Sequence, residues 1–280
     1  MKDHIEIFIE NAIREDIGNG DHTSLATIPA NTTGKAKLII KDSGILAGVD
    51  MTQRVFYFVD NEIILDIILD DGARVLKNDI AFTVEGKVHS ILKAERLVLN
   101  ILQRMSGIAT ETRHYVEKLQ GLKTKVLDTR KTSPGLRFME KEAVIIGGGA
   151  NHRMGLYDMI LIKDNHIDYA GGIAKALKQT QEYLVAQNKK LKIEIEARNL
   201  NDVGTILEIG NIQRIMLDNF SIEDTRKAVE MIHGKFETES SGKITLDNVR
   251  DYAECGVDFV SVGALTHQIK SLDMSLKAYK

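Results

Sequence analysis

Residues 126–166 read VLDTRKTSPGLRFMEKEAVIIGGGANHRMGLYDMILIKDNH, and the order of elements in this stretch sets the fold. An apolar strand, Lys125–Leu127, runs into Asp128-Thr129-Arg130-Lys131. A Ser133-Pro134-Gly135 turn leads to a helical segment, Glu140–Ile146. Gly147–Gly149 frees the backbone beside Asn151-His152-Arg153, and a second apolar run, Met159–Ile162, ends in Lys163-Asp164-Asn165-His166. Arg offers a planar fork matched to carboxylate or phosphate, and Lys a point charge. One such residue after a strand is ordinarily a solvated loop residue. Five of them together, Arg130, Lys131, His152, Arg153 and Lys163, point to a pocket for an anionic ligand. The glycine triplet lacks the G-x-G-x-x-G spacing of a dinucleotide fingerprint.

The same grammar continues downstream. Further strands are expected at Lys192–Ile195, Arg214–Leu217, Lys235–Thr238 and Phe259–Val262. Helices are expected at Ile173–Val185, Asn201–Ile209, Ile222–Ile232 and Leu246–Glu254. Alternating βα units build a parallel sheet, either doubly wound or closed as a barrel. The strand ends separate the two. An open sheet uses only the ends beside its switch point, whereas a barrel brings all of them to one mouth. Six ends carry polar or small residues, which favours a barrel, and with so few strands an incomplete one.

Before about residue 91 the grammar differs. Lys35–Ile40, Gly44–Val49 and Glu62–Leu69 read as short strands and Met51–Val59 as a helix, with Asp71-Gly72 and Glu85-Gly86 as hairpin punctuation. This implies a small α+β domain with an antiparallel sheet. A helix over Lys93–Leu119, with an expected break at Ser106-Gly107, joins the halves. The boundary is placed near residue 110, giving an N-terminal domain (1–110), a catalytic domain (111–267) and a last segment (268–280) that packs back on the first.

Composition narrows the class. The 280 residues carry a formal net charge of −3, against a nucleic-acid protein held by bulk electrostatics. The single cysteine, Cys255, allows no internal disulfide and fits a reducing compartment. No apolar stretch is long enough to cross a bilayer, and the acidic N-terminus does not resemble a signal peptide, so a cytoplasmic protein is expected. His22, His89, His114 and His233 sit in no metal-ligand spacing.

Two acids, Glu196 and Asp218, end strands of their own. Magnesium takes one or two carboxylates plus substrate phosphates, but the same acids would serve equally as helix caps or partners of the cations. Glu194 shares a strand face with Glu196, as a second contributor or a buried partner. Ser240-Ser241-Gly242 and Val262-Gly263-Ala264 end the last two strands, where α/β barrels commonly hold phosphate on backbone N–H groups; two ordinary tight turns are the plainer reading. His267 follows closely.

These segments resemble the quinolinate phosphoribosyltransferase family, also called nicotinate-nucleotide pyrophosphorylase (carboxylating). The matching stretches are EDIGNGDHTS (15–24), AERLVLNILQRMSGIAT (94–110), LDTRKTSPGLR (127–137), GGGANHRMGLYDMILIKDNH (147–166), IMLDNF (215–220) and SVGALTH (261–267). The resemblance implies an N-terminal α/β sandwich followed by an incomplete α/β barrel of the type II phosphoribosyltransferase kind. It also implies a pentosyltransferase of de novo NAD biosynthesis, which turns quinolinate and phosphoribosyl pyrophosphate into nicotinate mononucleotide, pyrophosphate and CO2 with Mg2+. By the same resemblance, Thr129, Arg130, Lys131, His152, Arg153 and Lys163 hold quinolinate's carboxylates and the pyrophosphate. Glu196 and Asp218 lie near the ribose hydroxyls and the metal, bound directly or through water. Ser241, Gly242, Lys243, Gly263 and His267 cradle the 5′-phosphate. Arg96 enters the site of a neighbouring subunit, so a homodimer or higher even-numbered homo-oligomer is expected, with no nucleic acid or membrane as partner.

One position departs from the pattern: Lys243 replaces the second glycine of the family's S-G-G loop, which strains the chain if that residue needs positive φ. Two other readings stay open on sequence alone, a related transferase with a different acceptor and a non-catalytic sensor of phosphoribosyl groups.

Overall fold

A computed structural model describes residues 4–279. In chain order the first elements are α1 (His4–Ile17), α2 (His22–Thr27), β1 (Thr33–Ile40), β2 (Gly44–Ile45), α3 (Val49–Val59), β3 (Ile64–Ile67), β4 (Arg74–Val75), β5 (Ile80–Lys87) and α4 (Val88–Lys118). Then come β6 (Lys125–Leu127), α5 (Arg137–Ile146), β7 (Ile160–Ile162), α6 (Asp164–Ala170), α7 (Ile173–Ala186), β8 (Ile193–Ala197), α8 (Leu200–Ile209), β9 (Arg214–Asp218), α9 (Ile222–Ile232), β10 (Glu237–Ser241), α10 (Val249–Glu254), β11 (Phe259–Ser261), α11 (Ala264–His267) and β12 (Met274–Tyr279).

The chain divides into two compact units, residues 1–111 with 269–280, and residues 112–268. In the first, an antiparallel sheet runs β12-β1-β5-β3, so the C-terminal strand completes it. Leu38 and Ile40 of β1 and Phe82 of β5 are fully buried, the alternation expected of a sheet with one covered face. Three sequence expectations fail in this unit. The strand over Gly44–Val49 stops at Ile45, because Asp71 accepts the N–H groups of Gly48 (2.6 Å) and Val49 (2.9 Å) and starts α3 there. Gly86 lies within β5 rather than in a turn, and a Cβ there would stand 3.0 Å from the Ile63 side chain. The break at Ser106-Gly107 does not occur: α4 is continuous over 31 residues. Gly107 serves instead for close approach, since a Cβ would stand 2.4 Å from the Lys270 carbonyl, and Ser106 Oγ accepts the Ala47 N–H.

The second unit carries a six-stranded parallel sheet in the order β6-β11-β10-β9-β8-β7. Each strand from β7 to β11 lies beside its sequence neighbour, and the last returns to the first. One seam stays open, between β6 and β7, where Ala150 alone bridges Leu127 in parallel. The architecture is an incomplete α/β barrel. β10 starts two residues later than expected and extends to Ser241, so Glu239 lies inside the strand and is fully buried. Among the described residues, no helix is long and apolar enough to cross a membrane.

Candidate active site

The interior of the parallel sheet is charged where barrels usually carry branched apolar side chains. Period-two alternation sends Glu194 and Glu196 of β8, and Glu237 and Glu239 of β10, each to a common face. Arg214 of β9 stands in register with both Glu194 and Glu237. Its guanidinium lies 2.8 Å from Glu239, 3.1 Å from Glu237 and 3.9 Å from Glu194, and 4.0 Å from the Phe259 ring centroid. Burial acts against its charge, yet the three glutamates together raise its pKa.

Glu194 and Glu239 are fully buried. Burial first, and for Glu239 the neighbouring Glu194 charge, push both carboxyls up to about 7. His152 Nε2 lies 3.0 Å from Glu194 and 3.6 Å from Glu239, off the line of a hydrogen bond, while Nδ1 accepts the Arg153 N–H at 2.7 Å. Burial lowers the His152 pKa, so the imidazole is a neutral ring rather than the cation its sequence position suggests. The ligand atoms of His152, Glu194 and Glu239 lie within 4.8 Å of one another, close enough to share a metal ion. Arg214 already supplies the positive charge at this spot, which disfavours a cation there.

At the C-terminal strand ends the site divides into two sides. On one, Arg153 is buried, its guanidinium donating to the Met159 carbonyl at 3.2 Å. Burial first, then the nearby Arg130 charge, lowers its pKa. Arg130 itself is exposed, and Thr129 Oγ1 accepts the Lys131 N–H (3.1 Å). On the other side, Lys163 ends β7 and its Nζ lies 2.5 Å from Glu196 Oε1, while Glu196 Oε2 accepts the Asp164 N–H at the start of α6. Glu196 is thus both salt-bridge partner and helix cap, the plainer roles weighed for it. Asp218 stands close enough for the Glu196 charge to act on it; burial first, then that repulsion, raises its pKa against the hydrogen bond from Asn219.

The small residues lie beside these groups. A Cβ on Gly242 would stand 2.4 Å from Asn219 Oδ1, and the Asn219 N–H donates to the Ser241 carbonyl. A Cβ on Gly263 would stand 3.0 Å from Lys131 and 3.1 Å from His267, and Thr266 Oγ1 donates to the Lys131 carbonyl. Lys131 therefore belongs with Gly263 and His267. Lys243 has φ of +52°, the left-handed conformation that glycine tolerates and lysine does not prefer. Its carbonyl accepts from Asn248 at 3.1 Å. Arg96 is exposed on α4 in the first unit, apart in sequence from all the others.

Sequence reasoning missed Arg214, Glu239, Asn219 and the Asp128–Lys141 pair. The alternating acids of IEIE (193–196) and ETE (237–239) were the available signal for the first two. Asp128 and Lys141 carried none, because only the fold makes both fully buried.

Residues 21–106 match the family described as quinolinate phosphoribosyl transferase, N-terminal domain, and residues 108–277 match its C-terminal domain. The chain is 43% identical to quinolinate phosphoribosyltransferase (decarboxylating) 1b of Nicotiana tabacum, over 96% of this chain and 81% of that one. It is 40% identical to nicotinate-nucleotide pyrophosphorylase (carboxylating) of Mycobacterium leprae, over 96% and 95%. The crystal structure of NadC from Streptococcus pyogenes superposes with a TM-score of 0.93 at 37% identity, covering 100% of both chains.

Proposed function

Because the chain belongs to the quinolinate phosphoribosyltransferase family, we infer that it makes nicotinate mononucleotide, pyrophosphate and CO2 from quinolinate and phosphoribosyl pyrophosphate in NAD biosynthesis. The observation that carries the mechanism is the two-sided mouth of the barrel. The Arg130 charge acts on Arg153, and the acids Glu196 and Asp218 gather with Lys163 at the ends of neighbouring strands.

The chemistry asks for this arrangement. A dicarboxylate and a polyphosphate repel each other strongly unless cations line the pocket. Arg130 and Arg153, with Thr129, bind quinolinate's carboxylates, and His152, whose Nδ1 accepts the Arg153 N–H, braces the Arg153 backbone. Lys163 takes the pyrophosphate, while Lys131, seated beside Gly263 and His267, serves the 5′-phosphate. Glu196 and Asp218 orient the ribose hydroxyls. The backbone at Ser241, Gly242, Lys243 and Gly263, with His267, holds the 5′-phosphate. As the bond from ribose C1 to pyrophosphate breaks, the quinolinate nitrogen forms its bond to C1, and the ring becomes cationic. That ring withdraws the electron pair of the adjacent carbon–carboxylate bond as CO2 leaves, and the ring carbon then takes up a proton. Fixed charges facing the departing pyrophosphate lower the barrier because they need no reorganisation.

A magnesium ion fits the acid side. The mutual repulsion of Glu196 and Asp218 is what a divalent cation relieves. Both oxygens of Glu196 are engaged by Lys163 and Asp164, so Asp218 is the better direct ligand. When bound, the metal would add positive charge on the pyrophosphate.

A homodimer is the proposed active unit, with Arg96 reaching the partner's site. β7 is an open edge strand, and beside it Arg153, Leu156, Met159, Tyr169 and Tyr183 line a cleft of about 580 Å3. Leu156, Tyr157 and Tyr169 are at least 70% exposed, and a second copy covering them would protect edge and patch together. The single cysteine, buried at Cys255, supports a cytoplasmic setting.

The test is direct. Purified protein with magnesium and phosphoribosyl pyrophosphate, given quinolinate or nicotinate separately, should release CO2 and mononucleotide with quinolinate alone. Mononucleotide from nicotinate instead would point to a different acceptor, and neither product to a sensor.

A further inference from the structure

We propose that the inward face of α5 is a positioning device: Arg137, Glu140 and Lys141, working with Asp128 at the end of β6, hold the Arg130–Lys131 loop and the His152–Arg153 segment in one register. The inference rests on the substrate roles proposed above for those cations. Spacing of three and four residues puts Arg137, Glu140 and Lys141 on one side of the helix. Glu140 and Lys141 are fully buried in a helix whose other buried residues are Met139, Ala143 and Val144, and Asp128, just past β6, is fully buried as well.

Each of these charged groups reaches backbone or side chains of a segment that bears a binding cation. Glu140 Oε2 accepts the Ser133 N–H at 3.2 Å, two residues from Lys131. The Arg137 fork divides between the two segments, Nε donating to Thr132 Oγ1 and Nη1 to the Met154 carbonyl, each at 3.0 Å. Lys141 Nζ donates to Asp128 Oδ1 and to the His152 carbonyl (3.1 Å). Asp128 Oδ1 also accepts the His152 N–H at 2.8 Å. Asn151, with its amide oriented to donate, reaches Asp128 Oδ2 at 2.6 Å and the Lys141 carbonyl at 2.9 Å. His152 is therefore held through both its N–H and its C=O.

Stability alone does not explain this. Burial pushes the Asp128 carboxyl up to about 6 and lowers the Lys141 pKa, the signature of a pair that costs desolvation. A buried ion pair is often no more stable than apolar residues of the same volume. What the pair supplies is direction, because its hydrogen bonds fix where the 151–154 segment lies. Displacement of a binding group by about 1 Å is enough to cost roughly 100-fold in rate.

The test uses Asp128→Asn combined with Lys141→Met, which removes both buried charges and nearly keeps the volume. The variant is expected to melt within a few degrees of wild type, to lose about 100-fold in kcat/KM for quinolinate, and to change little in KM for phosphoribosyl pyrophosphate. The last follows because Thr266 holds the Lys131 carbonyl independently. Wild-type quinolinate kinetics in a variant that melts like wild type would overturn the proposal. Should the double variant not fold, Arg137→Lys keeps the charge and loses the fork. It should raise the quinolinate KM selectively, and unchanged kinetics would again refute the role. Hydrogen exchange gives a readout that needs no turnover: the His152 and Ser133 amides should exchange faster in these variants. Unchanged exchange sinks the positioning role itself, whereas a wild-type enzyme inert toward quinolinate sinks only the functional reading.

Discussion

The buried pair Glu194 and Glu239 makes stability depend on pH in a direction opposite to that of ordinary surface carboxylates. Both groups are raised from 4.5 to about 7, chiefly by burial, so the folded chain keeps a proton there that the unfolded chain has lost. Stability associated with a raised carboxyl is complete below the unfolded pKa and disappears as pH rises through the folded one. The window therefore runs from 4.5 to about 7. Holding one proton between the two carboxyls across it corresponds to about 3 kcal/mol, or a melting shift of roughly 5–10 °C for a unit of this size. Thermal melts from pH 5 to pH 8 should show the wild type losing stability as pH rises. Glu239→Gln keeps the shape and the contact to Arg214 but removes the carboxyl that burial and the Glu194 charge both raise, leaving the burial-raised Glu194 alone to hold a proton, so its pH slope should flatten. The difference between the two slopes isolates the pair from histidines and surface groups. Identical slopes would mean that the two carboxyls do not share a retained proton, and the account of the barrel interior would fail.

Other expectations concern the mouth of the barrel. Arg130→Lys replaces a fork with a point charge and should reduce kcat/KM for quinolinate by roughly 10–100-fold, the loss of one charged hydrogen bond; steady-state kinetics at wild-type values would contradict the clamp. Mixing an Arg96→Ala subunit with a Lys163→Ala subunit should restore activity in hybrid dimers, and confirmed hybrids without recovery would exclude a contribution in trans. Gly242→Ala forces a methyl group into Asn219 at a positive φ, and should raise the KM for phosphoribosyl pyrophosphate far more than that for quinolinate. Lys243→Gly relieves a left-handed lysine at φ +52° and should raise the melting temperature by an amount worth about 1 kcal/mol; a lower melting temperature would show that the lysine side chain contributes more than its backbone costs.

Much of the fold was legible because period and punctuation are local. The span Ile222–Ile232 for α9 came directly from helical spacing, and β6, β7 and β9 from short apolar runs flanked by polar ends. Errors arose where a residue's reason lay elsewhere in the chain. Gly107 looks like a helix break until the Lys270 carbonyl is seen against it, and Gly86 like a turn until Ile63 is. The strand expected over Lys235–Thr238 stops short of Glu239, which in the sequence alone is one more polar residue at a strand end.

The cations of residues 126–166 announced an anion site in one dimension, since residue type and position after a strand need no third. The sequence by itself also determined the βα alternation and, through six polar strand ends, the convergence of a barrel. Tertiary structure alone decided which groups share an environment. It made His152 a buried neutral ring, seated Lys131 beside Gly263 and His267, joined Lys163 to Glu196 and set Asp128 against Lys141. The physical reason is that desolvation and Coulomb energy depend on distances between strands and on exclusion of water, and neither quantity exists until the sheet has curled.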